Sequence, residues 1–429
     1  MSVRTIGLDV HKHVTQVSVL EGGREVSNEQ IETTPAALRK LVATLRSDDQ
    51  VVLEATVNTW PIADLLRPHV ARVVISNPLK TRAIASAKLK SDRVDSRVLA
   101  ELLAADYIPE VWVPDEGTRQ LRHLVSRRRS LVQQQTRQRN RIHAVLQRNL
   151  VDCPATDLFG VSGRRWLAEV ELPTNERLEV DSDLRVLAVM EEEVRSVDND
   201  VAVAVVHDQR VRRLLTIPGV GITTAAAVVA VVGDVKRFER PNKLVGYFGL
   251  DPRVRQSGDQ PFRTGHISRQ GQAHARGLLI EAAHATVRVP GPFRAFYERV
   301  SSRRGKQSAL VAVARKLTVL SWHLLTKEQD YQWALGDLTA RKYKLLEVKA
   351  GIASPARVMG QGVFARDTMV QARKVLANAE SAYKMMVAAR AIQEGRGRLN
   401  EGTTRWPKAG SATEISPSNS ALRHEVDRA

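Results

Sequence analysis

The chain has 429 residues, enough for two or three domains, and carries 65 Lys and Arg against 47 Asp and Glu, a formal charge of +18. That excess, mostly arginine, attracts polyanions but does not choose between DNA, RNA and an acidic membrane surface. One cysteine, Cys153, excludes intramolecular disulfides and a Cys-rich zinc site, and the start MSVRTIGLDVHK has no signal-peptide core.

Taken in chain order, residues 3–10 (VRTIGLDV) and 14–20 (VTQVSVL) predict two strands, and Glu21-Gly22-Gly23 turns into a third near 24–31. Pro35 opens a helix over TPAALRKLVATLR. A strand over 51–55 (VVLEA), a helix from about Trp60, a strand over 71–76 (ARVVIS) and a helical pattern over 79–105 follow. This order predicts an α/β domain over residues 1–112, with antiparallel strands first.

Residues 113–210 read as a helical, coiled-coil arm. The segment 116–150 holds nine arginines and one acid around a broken apolar stripe, and 178–210 is a second helix, acidic around EEEVRSVDND. An apolar seam with an arginine-rich exterior suits a partner helix and a nucleic-acid backbone. Arg127, Arg128, Arg129, Arg137, Arg139 and Arg141 are therefore expected to bind nucleic acid, and the arm is a candidate dimer contact. Residues 211–330 read as a mainly α domain. Residues 331–429 read as a basic helical extension with a disordered tail, either a clamp or assembly element or dispensable. No apolar run approaches the ~20 residues that span a bilayer, so a cytoplasmic chain with no membrane partner is expected.

Four carboxylates carry the chemistry. Asp9 ends the first strand and Glu54 the middle one, while Asp92 and Asp95, spaced i,i+3, project from one side of a helix. Carboxylates closing apolar strands are costly to bury unless paired or metal-bound, and hard oxygen ligands suit Mg²⁺. An actin-like phosphate loop at Asp9 is disfavoured, because Val10-His11-Lys12 follows in place of glycines and a hydroxyl residue. His11 and His13 have a spacing compatible with metal ligation, but turn or surface roles are assigned to them.

GLDVHK, LEAT and SDRVDS resemble the tetrad of the DEDD-type insertion-sequence transposases, bridge-RNA-guided serine recombinases with a Holliday-resolvase-like (RuvC-like) RNase H fold at the N-terminus. The resemblance implies metal binding and catalysis by Asp9, Glu54, Asp92 and Asp95. It extends over roughly residues 3–330.

In IPGVGITTAAAVVAVVGD, from 217, the pattern helix, Gly-Val-Gly turn, helix predicts a helix-hairpin-helix element, with Gly219 and Gly221 letting backbone amides approach a phosphate. An αα turn packed by small residues is the alternative. GHISRQGQAHARGLL, from 265, follows in a basic stretch. By itself Ser268 reads as a helix N-cap. The resemblance adds a second role, because the family's catalytic serine is matched to Ser268-Arg269-Gln270-Gly271, with Arg276, Leu278 and Leu279 beyond. Ser268 is thus the expected nucleophile, with Arg269 and Arg276 offsetting phosphate charge. No Ser-His-Asp arrangement is legible, so the carboxylates are the expected activator, meeting the serine between protomers. The resemblance further implies a transposase in the bacterial cytosol or nucleoid, acting on double-stranded DNA at the element ends and target. It implies selection by a structured non-coding guide RNA and work as a homo-oligomer, dimer to tetramer. Two alternatives stay open: a metal-dependent Holliday-junction nuclease without a covalent intermediate, and a non-enzymatic nucleic-acid-binding protein.

Overall fold

The computed structural model describes residues 3–85, 91–255, 263–354 and 366–394, which fall into two compact units, 1–114 and 115–429.

Unit 1 is a mixed α/β layer. Its strands β1 (Arg4–Val10), β2 (Val14–Glu21), β3 (Arg24–Glu32), β4 (Gln50–Glu54) and β5 (Arg72–Ser76) form one sheet in the order β3-β2-β1-β4-β5. The first three pair antiparallel; β1–β4 and β4–β5 are parallel. Four helices accompany it, α1 (Pro35–Val42), α2 (Thr59–Leu66), α3 (Pro78–Ile84) and α4 (Asp92–Ala104), and all but α2 start at a polar cap: Thr34 accepts from Ala37 N, Asn77 from Leu79 N, and Ser91 from Val94 N. The central strands are buried on both faces, as parallel strands require. Ile6, Leu8, Val51 and Leu53 pack with Ile62 and Leu66 on one side, and Val52 and Val74 pack with Leu99 and Leu103 of α4 on the other. The expected helix over 79–105 is two helices: α3 ends at Ile84 and α4 begins at Asp92, with residues 86–90 outside the described ones.

Unit 2 begins with α5 (Glu116–Arg148), α6 (Val161–Glu169) and α7 (Thr174–Val205). The ion pairs Arg148–Glu176, Arg141–Asp183 and Arg128–Asp198 run in opposite chain directions, so α5 and α7 form an antiparallel hairpin. Ile142, Val145 and Leu146 close its far end against Leu167, Val180 and Leu187. Leu121, Val125, Val197 and Val201 join its base to the main core. That core continues through α8 (Gln209–Leu215), α9 (Ile222–Val232), α10 (Pro241–Phe248), the hairpin β6 (Pro252–Arg255) and β7 (Arg263–Ile267), then α11 (Ala273–Thr286), α12 (Pro292–Arg304) and α13 (Lys306–Lys327). By length and composition α13 would pass as a membrane span, contrary to the sequence expectation, yet 67% of its apolar window is buried within the unit.

The extension continues with α14 (Gly336–Lys349) and α15 (Arg366–Glu394), and these are no loose appendage. Lys342 Nζ donates to the carbonyls of Leu215 and Ile217, both at 2.7 Å, satisfying the open end of α8. Tyr343 Oη donates to Arg212 O, and buried Glu380 accepts from Gly291 N. Both helices are therefore packed into unit 2; the expected disordered tail, from 395, lies outside the described residues.

Candidate active site

The sheet brings the carboxylates to one edge. Leu8 pairs in register with Leu53 on parallel strands, so Asp9 and Glu54 are the next residues on neighbouring strands. Alternation along β1 puts Asp9 on the face of Gly7, and along β4 puts Glu54 on the face of Val52; both faces turn toward α4. Gly7 makes the approach possible. A Cβ there would lie 1.9 Å from Ser96 O and 2.8 Å from Ala100 N, so α4 sits directly on strand backbone. Its first turn, capped by Ser91, carries Asp92 and Asp95 over Asp9.

Burial pushes the Asp9 carboxyl above the ordinary aspartate range; His11 opposes the shift, and Asp92 and Asp95 reinforce it. Those couplings place three of the four predicted carboxylates in one electrostatic cluster, with Glu54 beside them by register. His11, assigned to the surface from sequence, joins them. Its Nε2 lies 3.1 Å from Asp9 Oδ2 and 3.3 Å from Asp92 Oδ1. One ligand atom each of Asp9, His11 and Asp92 falls within 4.8 Å of the others, a donor set that fits a divalent cation. The only sequence signal was the alternate spacing after Asp9, which is common in turns.

Ser268 is placed differently from the capping expectation. It follows β7, and α11 begins five residues later, flanked by Gln272 with no side-chain cap. The β6–β7 hairpin was not foreseen, because PRVR and RTGHI carry no apolar alternation. Ser268 Oγ donates to Asp251 Oδ1 at 2.6 Å, and Ser268 N donates to Asp251 O at 2.7 Å. Burial lowers the pKa of Arg315, and Asp251 offsets this, so a cation stands near the Asp251 carboxylate. Asp251, preceding β6, is the partner that sequence reasoning missed; seventeen residues separate it from Ser268.

The predicted phosphate-binding residues divide. Gly219 (φ +85°) is a packing residue: a Cβ would meet Thr286 Oγ1 at 2.4 Å and Thr286 N at 2.5 Å, as in a tight αα contact. Gly221, at the start of α9, has nothing within 4 Å. Arg276 donates to Phe248 O and Arg269 O, which holds the end of α10, while Arg269 is exposed with φ +57°. On α5, Arg127, Arg128, Arg139 and Arg141 are ion-paired to Glu193, Asp198, Glu191 and Asp183 of α7, so their first task is to hold the hairpin. Arg129 and Arg137 are exposed and make no ion pair among the described residues. Three further arginines close the C-terminal end of α9: Arg122 and Arg237 donate to Val231 O, and Arg210 to Gly233 O.

Residues 6–150 match the DEDD transposase domain of the IS110 group, and residues 211–298 match the transposase domain of the IS116/IS110/IS902 family. The transposase for insertion sequence element IS1111A of Coxiella burnetii is 26% identical over 349 residues, 77% of this chain and 92% of that protein. A pilin gene-inverting protein of Moraxella lacunata is 25% identical over 293 residues, 66% of this chain and 81% of that one. The insertion element IS110 protein of Streptomyces coelicolor is 25% identical, over 76% of this chain and 95% of its own length. A DEDD domain of this kind implies divalent-metal chemistry on DNA. The chain belongs to the IS110/IS116/IS902 family of insertion-sequence transposases, enzymes that cut and transfer DNA strands.

Proposed function

We propose that this transposase exchanges the ends of its insertion sequence with target DNA through a phosphoserine intermediate on Ser268. In this reading unit 1 is an RNase H-like domain in which Asp9, Glu54, Asp92 and Asp95 hold Mg²⁺. The observation that carries it is the convergence of Asp9, Asp92 and Asp95 from a strand end and a distant helix, against their mutual repulsion. When bound, the ion neutralises charge on the scissile phosphate and the oxygen that leaves it.

Ser268 Oγ attacks phosphorus as one bond from phosphorus to a deoxyribose oxygen breaks. Asp251, 2.6 Å from Oγ, takes the hydroxyl proton, which then passes to the leaving oxygen. Attack by a hydroxyl of the other strand reverses the step and releases the serine, with no external energy source. Exposed Arg269 offsets phosphate charge beside the serine. Two duplexes exchanging strands call for a homo-oligomer. Arg129 and Arg137 support a reading in which the α5–α7 arm tracks the phosphates of a structured guide RNA or of DNA.

Two substitutions test the assignment. Asp95→Asn is expected to abolish strand exchange while RNA and DNA binding persist. Ser268→Ala is expected to abolish cleavage together with any protein–DNA adduct. Full cleavage by Ser268→Ala, combined with loss in Asp95→Asn, would instead establish a metal-dependent nuclease that uses water.

A further inference from the structure

His11 stands at the carboxylate cluster without a task in the chemistry above. It is the first residue past β1, and its backbone N–H donates to Val14 O at 2.9 Å, which closes the turn into β2 and fixes the ring's origin beside Asp9. From there Nε2 reaches two carboxylate oxygens on separate elements, Asp9 Oδ2 at 3.1 Å and Asp92 Oδ1 at 3.3 Å. Surface ion pairing is satisfied by one acid. Here a single imidazole nitrogen sits between two carboxylates that repel each other. His13, two residues on, is exposed and makes no side-chain hydrogen bond among the described residues.

We infer that His11 is a direct ligand, through Nε2, of the divalent ion held by Asp9 and Asp92, so that the site is mixed nitrogen–oxygen and favours Mn²⁺ more than an all-carboxylate site would. Carboxylates alone suit Mg²⁺, a hard ion that takes oxygen; an imidazole ligand moves preference toward borderline transition metals. The alternate spacing Asp9-Val10-His11 supplies both ligands from one strand end, and α4 supplies Asp92, with Gly7 setting the distance between them. Ligation through Nε2 requires that nitrogen to be free of a proton, which leaves Nδ1 as the N–H of the neutral ring. This inference rests on the reading that the carboxylates hold a metal.

The test uses the full chain without nucleic acid, with Mn²⁺ as the probe. Pulsed electron paramagnetic resonance of bound Mn²⁺ is expected to show coupling to one nitrogen, shifted when the histidines carry ¹⁵N. His11→Ala should lose that coupling and weaken Mn²⁺ binding about tenfold or more, whereas His13→Ala should change neither. Mg²⁺ affinity, read by competition, should fall much less in His11→Ala. Mn²⁺ bound with no nitrogen coupling, or with coupling that survives His11→Ala, would overturn the inference while leaving the carboxylate site intact. Failure of the wild-type chain to bind Mn²⁺ more tightly than Asp9→Asn would overturn the metal reading, and this inference with it.

Discussion

Gly7→Ala should separate the carboxylates without touching one of them. The new methyl group would lie 1.9 Å from Ser96 O and 2.8 Å from Ala100 N, both backbone atoms of α4, so no side-chain rotation relieves the clash. Restoring an ordinary contact near ~3.4 Å moves the helix or the strand by roughly 1.5 Å. Overpacking of this kind costs about 1–3 kcal/mol of stability, so the domain should remain folded. The site would suffer more. A displacement of about 1 Å from reactive geometry lowers rates on the order of 10²-fold, and Asp92 and Asp95 ride on the displaced helix. The assay is single-turnover cleavage of a labelled element end by folded protein, with the melting temperature measured in parallel. Gly277→Ala is the matched control: that glycine lies within α11 with nothing within 4 Å of a Cβ, and the change should be neutral or stabilising by up to about 1 kcal/mol. Wild-type cleavage by Gly7→Ala would refute the claim that close seating of α4 assembles the site.

Asp9→Asn should raise the melting temperature of the metal-free chain while abolishing cleavage. Burial holds this carboxyl above its unfolded pKa, so its ionised form opposes folding, and stability is lost as pH rises through the folded value; calorimetry at pH 7 should show a gain on the order of 1 kcal/mol. Lys342 titrates in the opposite sense: burial lowers its pKa from 10.5 to about 8, so between those values the unfolded chain binds more protons and stability rises with pH. Thermal melts from pH 7.5 to 10 should show that rise in the wild type and lose it in Lys342→Met. Arg129→Ala and Arg137→Ala should each reduce the salt dependence of nucleic-acid binding by about one phosphate contact with stability unchanged, measured by binding titrations at several salt concentrations. Arg128→Ala should instead destabilise the α5–α7 hairpin, because Asp198 would lose one of two cationic partners, Lys349 being the other.

Periodicity made unit 1 legible: apolar strands punctuated by Gly22-Gly23 and Pro35 admit few other arrangements, and three of the predicted carboxylates form the observed cluster. Charge was legible only as a total. Which arginines face solvent depends on partners distant in sequence, such as Glu191 for Arg139, or the α9 carbonyls for Arg122 and Arg237. The same limit concealed Asp251, whose pairing with Ser268 exists only once β6 and β7 fold back together. Gly219 reads equally as a phosphate turn or a packing turn until Thr286 is found against it. His11 does lie exposed in the turn after β1, as its spacing suggested; its place beside a second carboxylate was not legible, because Asp92 reaches it only when α4 packs on the sheet.

Trapping the intermediate tests the central claim most directly. A DNA end carrying a nick that lets the leaving strand diffuse away should accumulate a covalent adduct in the presence of divalent metal, and peptide mapping should find the nucleotide on Ser268. An adduct on another hydroxyl, Ser257 of the same segment for example, would contradict the assignment of the nucleophile. Metal-dependent cleavage with no adduct at all would contradict covalent catalysis.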